Sequence, residues 1–440
     1  MRVYDEVINR MQTEGVKFVQ LWFSDVLGFI KGLTIPTSEL KRAFDDGISF
    51  DGSSIQGFAR IEESDMIARP DPTTFAELPW PVQGEKAGRM LCDIVTPEGR
   101  PFHADPRAVL KRTADHAARM GFRCCVGVEM EFFCLNGPDS PEIIDRSGYF
   151  DLTPAARGEV IRHEIISALE KLGIIVENSH HEVSASQHEI DLRYADAVSM
   201  ADIFVTARFV ARQVAKNHGL HVTFMPKPMF GMNGSGMHCH LSLFDKETNL
   251  FFNPKNPRQP SSLCRQFVAG LLEHAAEITL VTNQWVNSYK RLVPGYEAPV
   301  YICWAHMNRS ALVRVPAFNP HRRNAARVEY RSPDPACNPY LAFAVILAAG
   351  LDGIERRLKL GPESSNNIYR MTDEEREAAG IKTLPKDLSE AIREAEGSKL
   401  VRHTLGEELF GYLIRNKRLE WNDYKAQVTE YEIRRYLPIL

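Results

Sequence analysis

The chain has 440 residues, 44% of them hydrophobic and 25% charged, with a formal net charge of −4 at pH 7. That length is enough for two or three domains around a large buried core, in ordinary globular proportions. The slight acidity gives no electrostatic ground for a nucleic acid or membrane partner, and no uninterrupted apolar run reaches membrane-spanning length.

The opening stretch, MRVYDEVINRMQTEGVKFVQ, carries acids and lacks an apolar centre, so it does not read as a secretory signal. Residues 3–15 read as a short helix. VKFVQLWFSDVLGFIKGLTIP then alternates apolar and polar residues around Asp25–Gly28, as a β-hairpin does. Ser38 is expected to cap a helix running to about Asp46, with Gly47 after its end. A loop-rich stretch, FDGSSIQGFARIEESDMIARPDP, and a strand and turn, RMLCDIVTPEG, complete a small, mostly β unit over residues 1–103.

The pattern changes at His103–Asp105. Pro106 is placed to start the helix PRAVLKRTADHAARMG, which ends at Gly121. Residues 104–440 then form a second, larger α+β domain. Helices are expected at 154–172, 196–218, 261–281 and 338–359. Strands are expected at 123–135, 173–182, 187–194, 220–226, 236–244, 310–315 and 326–331, with a helical, charged stretch over 372–436. The eight cysteines include no C-x-x-C pair and sit mostly in apolar or β-like runs. Reduced, buried thiols in a cytoplasmic protein are expected.

The chemistry is concentrated in the second domain. In VGVEMEFF (126–133), Glu129 and Glu131 are two apart on a strand, so they share one face. Apolar neighbours suggest burial, and paired buried carboxylates repel unless a cation sits between them. In HHEVSASQHEIDLRY (180–194), Glu182 ends one strand and Glu189 starts the next. In NGSGMHCHLSL (233–243), His238, His240 and Ser242 alternate on one face. In RVEYR (327–331), Arg327, Glu329 and Arg331 do the same. A lone strand histidine is usually a core residue, but five glutamates and a histidine recurring at strand spacing point to metal. Oxygen-rich ligation with one imidazole suits Mg²⁺ or Mn²⁺ rather than closed zinc. More than four ligands imply two or more ions, as phosphoryl-transfer sites use. Arg309, Arg314 and Arg327 lie among β-forming neighbours and suit phosphate clamping. Neither a P-loop nor a dinucleotide-binding glycine motif is present. Two further loops, PGYEAP with Glu297 and FDGSSI with Asp51, read by spacing alone as turns.

Taken in order, the segments FDGSSI, GVEMEF, HHEVSASQHE, MPKPMFGMNGSGMHCH, NSYKRLVPGYEAPV, NRSA and RVEYRSPDPACNPYL resemble class I glutamine synthetase, from about Val16 to the C-terminus. The resemblance implies an N-terminal β-grasp domain and a C-terminal glutamine-synthetase/guanido-kinase-like catalytic domain of antiparallel sheet and helices. It implies a homododecamer of two hexameric rings with active sites between neighbouring subunits. The implied reaction is ATP-dependent ligation of ammonia to L-glutamate through γ-glutamyl phosphate. One divalent ion would be held by Glu131, Glu182 and Glu189, and a second by Glu129, His238 and Glu329. Glutamate would meet Asn233, Gly234, Arg291, Glu297 and Arg331. ATP phosphates would meet Arg309, Arg314 and Arg327, and the adenosine would contact Glu177, Tyr194, His240 and Ser242. Asp51 of a neighbouring subunit, with Tyr149 and Glu182, would form the ammonium pocket, and Glu297 would shield the intermediate from water.

The short segment between Phe133 and Tyr149 resembles the alpha subtype, which answers to glutamine feedback and nitrogen-regulatory proteins and is not adenylylated. Arg60 matches the arginine that takes part in that feedback. Ala305-His306-Met307 and Phe318-Asn319-Pro320-His321 depart from the usual pattern beside the phosphate arginines. Two other readings are a γ-glutamyl-amine ligase acting on a polyamine or methylamine, and a non-catalytic nitrogen-sensing relative. Intact Asp51, Tyr149 and Glu297 favour ammonium over the first, and the complete ligand set argues against the second.

Overall fold

The computed structural model describes residues 3–53, 55, 65–154, 156–306, 308–319, 321–364 and 368–440. Arg60 lies outside them. Near the N-terminus, the helix Val3–Glu14 leads into β1 (Phe18–Ser24) and β2 (Ile30–Pro36), paired antiparallel. Their hairpin closes at Asp25, whose N–H donates to the Phe29 carbonyl at 3.0 Å. The helix expected from Ser38 begins later, at Leu40–Asp45. Ser38 lies inside a preceding 3₁₀ turn, Thr37–Glu39, and caps nothing. β3 (Ile48–Asp51), β4 (Asp65–Pro70), β5 (Ala76–Glu77) and β6 (Ala87–Val95) complete the first sheet, in the order β2-β1-β6-β4-β3 with β5 beside β6. The central β1–β6 pair is parallel.

The second sheet contains β7 (Arg123–Leu135), β8 (Val176–His181), β9 (Gln187–Asp196), β10 (His221–Thr223), β11 (Met237–Asp245) and β12 (Thr248–Asn249). After β13 (Tyr301–Ile302) it gains β14 (Trp304–Ala305), β15 (Val313–Arg314) and β16 (Val328–Tyr330), while β13 pairs separately with β17 (Lys382–Thr383). Its path is β14-β15-β16-β11-β7-β9-β8, antiparallel apart from the short β14–β15 pair. β15 is shorter than the expected 310–315, because Asn308 turns the chain: its Oδ1 accepts from the Ser310 N–H at 3.0 Å.

β7 is buried on both faces. Val126, Val128, Met130 and Phe132 point toward the layer of helices that includes Ala197–Asn217, leaving Gly127, Glu129 and Glu131 on the opposite face. The apolar helix Pro339–Glu355 is buried nearly all round. The helix expected over 261–281 breaks at His274 into Ser262–Glu273 and Ala275–Thr282, where the imidazole turns to meet Glu277 and Asp352.

The two sheets are joined by polar contacts. Arg107 donates to Asp71 (2.9 Å) and Asp93 (2.6 Å) from the first part and to Asp202 (2.8 Å) from the second. The hairpin turn is held by Arg208 Nη2 on the Gly28 carbonyl (2.8 Å) and Asn338 Nδ2 on that of Asp25 (3.0 Å). Gly28 has φ +87°, and a Cβ there would fall 2.8 Å from Asn338 Cα, so the close approach needs glycine. All eight cysteines are buried and free, and no described helix is long and apolar enough to cross a membrane.

Candidate active site

Strand register assembles the acids. Three rows of Cα partners cross the second sheet: Arg314–Glu329–His240–Gly127, His238–Glu129–Asp191–Asn178, and Glu131–Glu189–His180. Because side chains alternate, all three rows project on the same face. Above them opens a cavity of about 760 Å³.

Among the described residues, the cavity is lined by all six expected metal ligands: Glu129, Glu131, Glu182, Glu189, His238 and Glu329. Tyr149, Asn233, Gly234, Arg291, Glu297, Arg309, Arg314 and Arg331 line it too. The remaining expected residues lie elsewhere. Asp51 is exposed at the end of β3, its Oδ1 accepting from the Ser53 N–H. Glu177 is exposed beside Arg193, Tyr194 is 52% exposed, and Ser242 is buried, donating to the Ala326 carbonyl. Arg327 Nε donates to His240 Nδ1, in the first row, at 3.1 Å.

The acids divide into two electrostatic halves. Burial opposes ionisation of Glu129, yet hydrogen bonds from His238 and His240 hold its carboxyl well below the usual range. Glu329 is fully buried and also lowered against the desolvation cost, chiefly by Arg331; Arg314 Nη1 lies 2.7 Å from its Oε2. The other half lacks such compensation. Burial pushes Glu131 up to about 8, reinforced by the charge of Glu182 and opposed by Arg291. Glu189 is raised well above the usual range by burial and by Glu129 and Glu131, and Glu182 is raised mainly by burial. Carboxylates gathered like this need positive charge beyond what the chain supplies. The donor set, five carboxylates and one imidazole, fits hard divalent cations.

The surrounding loops hold the acids in place. Gln187 Nε2 donates to Glu131 Oε2 (3.2 Å) and to the Gly234 carbonyl (3.1 Å), and the Gly236 N–H donates to Glu131 Oε2 (2.9 Å). Arg291 is buried, donating to the carbonyls of Ser332 (2.6 Å) and Arg331 (3.2 Å). Glu297 has a left-handed backbone, φ +56°, and accepts from Asn233 Nδ2 at 2.8 Å. Arg309 is hydrogen-bonded to Tyr149.

Sequence reasoning passed over His180, Gln187 and Asp191, which also line the cavity. His180 Nε2 lies 3.0 Å from Glu189 Oε1. The signal was present: His180 stands two before Glu182, and Gln187 and Asp191 stand two either side of Glu189. A further group sits behind this face. Asp145 Oδ1 lies 2.8 Å from His181 Nε2, while His181 Nδ1 lies 2.7 Å from the Glu182 carbonyl, bracing the β8–β9 turn.

Residues 15–97 match the family model of the glutamine synthetase beta-grasp domain, and residues 103–436 match that of the glutamine synthetase catalytic domain. Among curated relatives, the chain is 51% identical to "Glutamine synthetase" of Mycolicibacterium smegmatis over 439 residues, covering 98% of each chain. It is 49% identical to that of Methanosarcina mazei over 440 residues, covering 99% of this chain and 98% of the other. Among solved structures, it is similar to "GmaS/ADP complex-Conformation 1" (TM-score 0.89, 33% identity, covering 98% and 99%). It is also similar to the cryo-EM structure of Plasmodium falciparum glutamine synthetase (TM-score 0.89, 26% identity, covering 99% of each).

Proposed function

The chain belongs to the glutamine synthetase family, and from that premise we propose that it ligates ammonia to L-glutamate, giving L-glutamine, ADP and phosphate. The observation that carries this reading is a single cavity in which a carboxylate cluster short of positive charge meets buried arginines and the Glu297 loop. ATP is the co-substrate.

Glutamate is gripped by Arg291, Arg331, Asn233 and the backbone of Gly234, with its γ-carboxylate toward the acids. Arg309, Arg314 and Arg327 take the phosphates of ATP, spreading the charge that builds as the γ-phosphoryl passes to the γ-carboxylate. Glu177, Tyr194, His240 and Ser242 serve the adenosine end. Mg²⁺ or Mn²⁺ held by Glu131, Glu182 and Glu189, and by Glu129, His238 and Glu329, would neutralise and orient the transferring phosphoryl group.

Ammonium is drawn to the negative charge of Glu182, beside Tyr149, and Asp51 removes its proton. The free ammonia attacks the acyl carbon and phosphate leaves. Glu297 over the cavity excludes water, which would otherwise return glutamate. The exposure of Asp51, away from the cavity of its own chain, supports its donation to a neighbouring subunit in a homododecamer of two rings. Exposed Ile433, Leu437, Ile439 and Leu440 near the C-terminus support assembly. The proposed division after residue 103 is supported by its closeness to the gap between the matched regions 15–97 and 103–436. Arg60 is proposed for glutamine feedback by motif alone.

The test is an amine panel: phosphate release from ATP and glutamate with ammonium, methylamine or polyamines. Ammonium is expected to give by far the highest rate. Phosphate release that requires a polyamine or methylamine would favour the sibling ligase, and none with any amine would favour a sensing relative.

A further inference from the structure

Three segments supply the groups proposed to hold glutamate and close over it: 226–234 with Asn233, 287–291 with Arg291, and 294–299 with Glu297. They meet at Lys227, a residue without a role in the reaction as described so far. Its side chain is buried. Its ammonium lies 3.6 Å from the centroid of the Tyr296 ring and donates to the Met232 carbonyl. Its backbone N–H donates to Asn287 Oδ1 at 2.8 Å, and its carbonyl accepts from Asn287 Nδ2 at 3.0 Å.

The connections have a direction. Tyr296 precedes Glu297, and Met232 precedes Asn233. Asn233 Nδ2 in turn donates to Glu297 Oε2 at 2.8 Å. One ammonium therefore fixes the residue before each member of the pair that closes the cavity. Glu297 needs such support: a left-handed backbone at a non-glycine residue persists only where its surroundings over-determine it. A cation over an aromatic face is a strong anchor once desolvated. Burial and the charge of Arg291 both disfavour an ammonium here, so its position is held against an electrostatic cost.

We infer that Lys227 is the positioning residue that keeps the Glu297 loop closed on Asn233, so that the acyl phosphate meets ammonia rather than water. This rests on the reading of Glu297 as the shield. Without closure, water attacks the acyl carbon, glutamate is re-formed and phosphate is released with no glutamine.

The test uses the assembled full-length enzyme and measures phosphate and glutamine together. Lys227→Met keeps the side-chain length and removes the charge. Tyr296→Leu removes the ring and leaves the Met232 and Asn287 bonds intact, which guards against a folding defect in the lysine variant. Both are expected to raise KM for glutamate about tenfold and phosphate released per glutamine at least about threefold, with KM for ATP within about twofold of wild type. Lys227→Arg and Tyr296→Phe should recover coupling. One phosphate per glutamine with unchanged KM for glutamate in Tyr296→Leu overturns the inference, as does an equal rise of both KM values. Wild-type enzyme that makes no glutamine would instead overturn the underlying reaction.

Discussion

Glu129 Oε1 stands 2.6 Å from His240 Nε2, and its Oε2 stands the same distance from His238 Nδ1. The two contacts are not equivalent. Arg327 Nε, which can only donate, is bonded to His240 Nδ1, so the His240 proton sits on Nε2 and points at Glu129. His240 thus has no lone pair left toward the cavity, although proximity alone groups it with Glu129 and Glu329. His238 gives its Nδ1 proton to Glu129 and turns Nε2 toward Glu131, 3.8 Å away. With Nδ1 donating, Nε2 is the nitrogen of His238 that keeps a lone pair to offer a metal.

His238→Asn should therefore weaken activation by divalent metal about 10–100-fold, whereas His240→Asn should act mainly on KM for ATP. Metal-activation curves at saturating ATP separate the two. Equal losses of metal affinity would remove the distinction.

Asp51 and Arg309 are proposed to serve one site from different subunits. Asp51→Ala and Arg309→Ala should each be inactive as pure assemblies. Dissociated, mixed in equal amounts and reassembled, they should regain about a quarter of wild-type activity, the share of interfaces with both groups intact in a closed ring. No recovery in mixed assemblies would place both residues in one subunit's site.

Away from the cavity, His274 is held between Glu277 (3.0 Å) and Asp352 (2.8 Å) at the break between two helices. Burial alone would depress its pKa, but these carboxylates outweigh it and the value is raised from 6.5. A raised folded-state pKa stabilises fully below the unfolded value and less as pH climbs through the folded one. His274→Gln should cost about 2–4 kcal/mol at pH 6 and clearly less at pH 9. Calorimetric melting of both proteins at the two pH values reads the difference, and a gap that widens with pH would contradict the assignment.

Two glycines distinguish activity from stability. A Cβ on Gly236 would lie 2.5 Å from Arg291 Nη2, whose guanidinium is already bound to backbone carbonyls. A Cβ on Gly270 would lie 2.1 Å from the Ala349 carbonyl, between the helices Ser262–Glu273 and Pro339–Glu355. Gly236→Ala should raise KM for glutamate at least about tenfold with little change in melting temperature. Gly270→Ala should destabilise the fold by about 1–3 kcal/mol with near-normal kinetics in the surviving enzyme. Interchanged phenotypes would refute both placements.

Much of the fold was legible because its signals are local. The hairpin around Asp25–Gly28 and the helices starting at Pro106, Ala197 and Pro339 follow from turn residues, caps and apolar periodicity. The misses arose where a distant partner intervened. Asp352 draws His274 aside and breaks a helix that periodicity runs through. Ser38 has the chemistry of a cap, but its backbone is taken into a 3₁₀ turn.

The sequence by itself determined which side chains share a face: Glu129 with Glu131, His238 with His240, and Arg327 with Glu329 and Arg331. A two-residue period does this without reference to any other strand. Only the tertiary structure decided which of them stand opposite one another. Register sets Glu189 between Glu131 and His180, and Glu329 between Arg314 and His240. It also decided that one half of the acidic cluster is balanced by the chain's own cations while the other is left with carboxyls pushed upward. That balance depends on burial and on neighbours far away in sequence, and no local pattern encodes it.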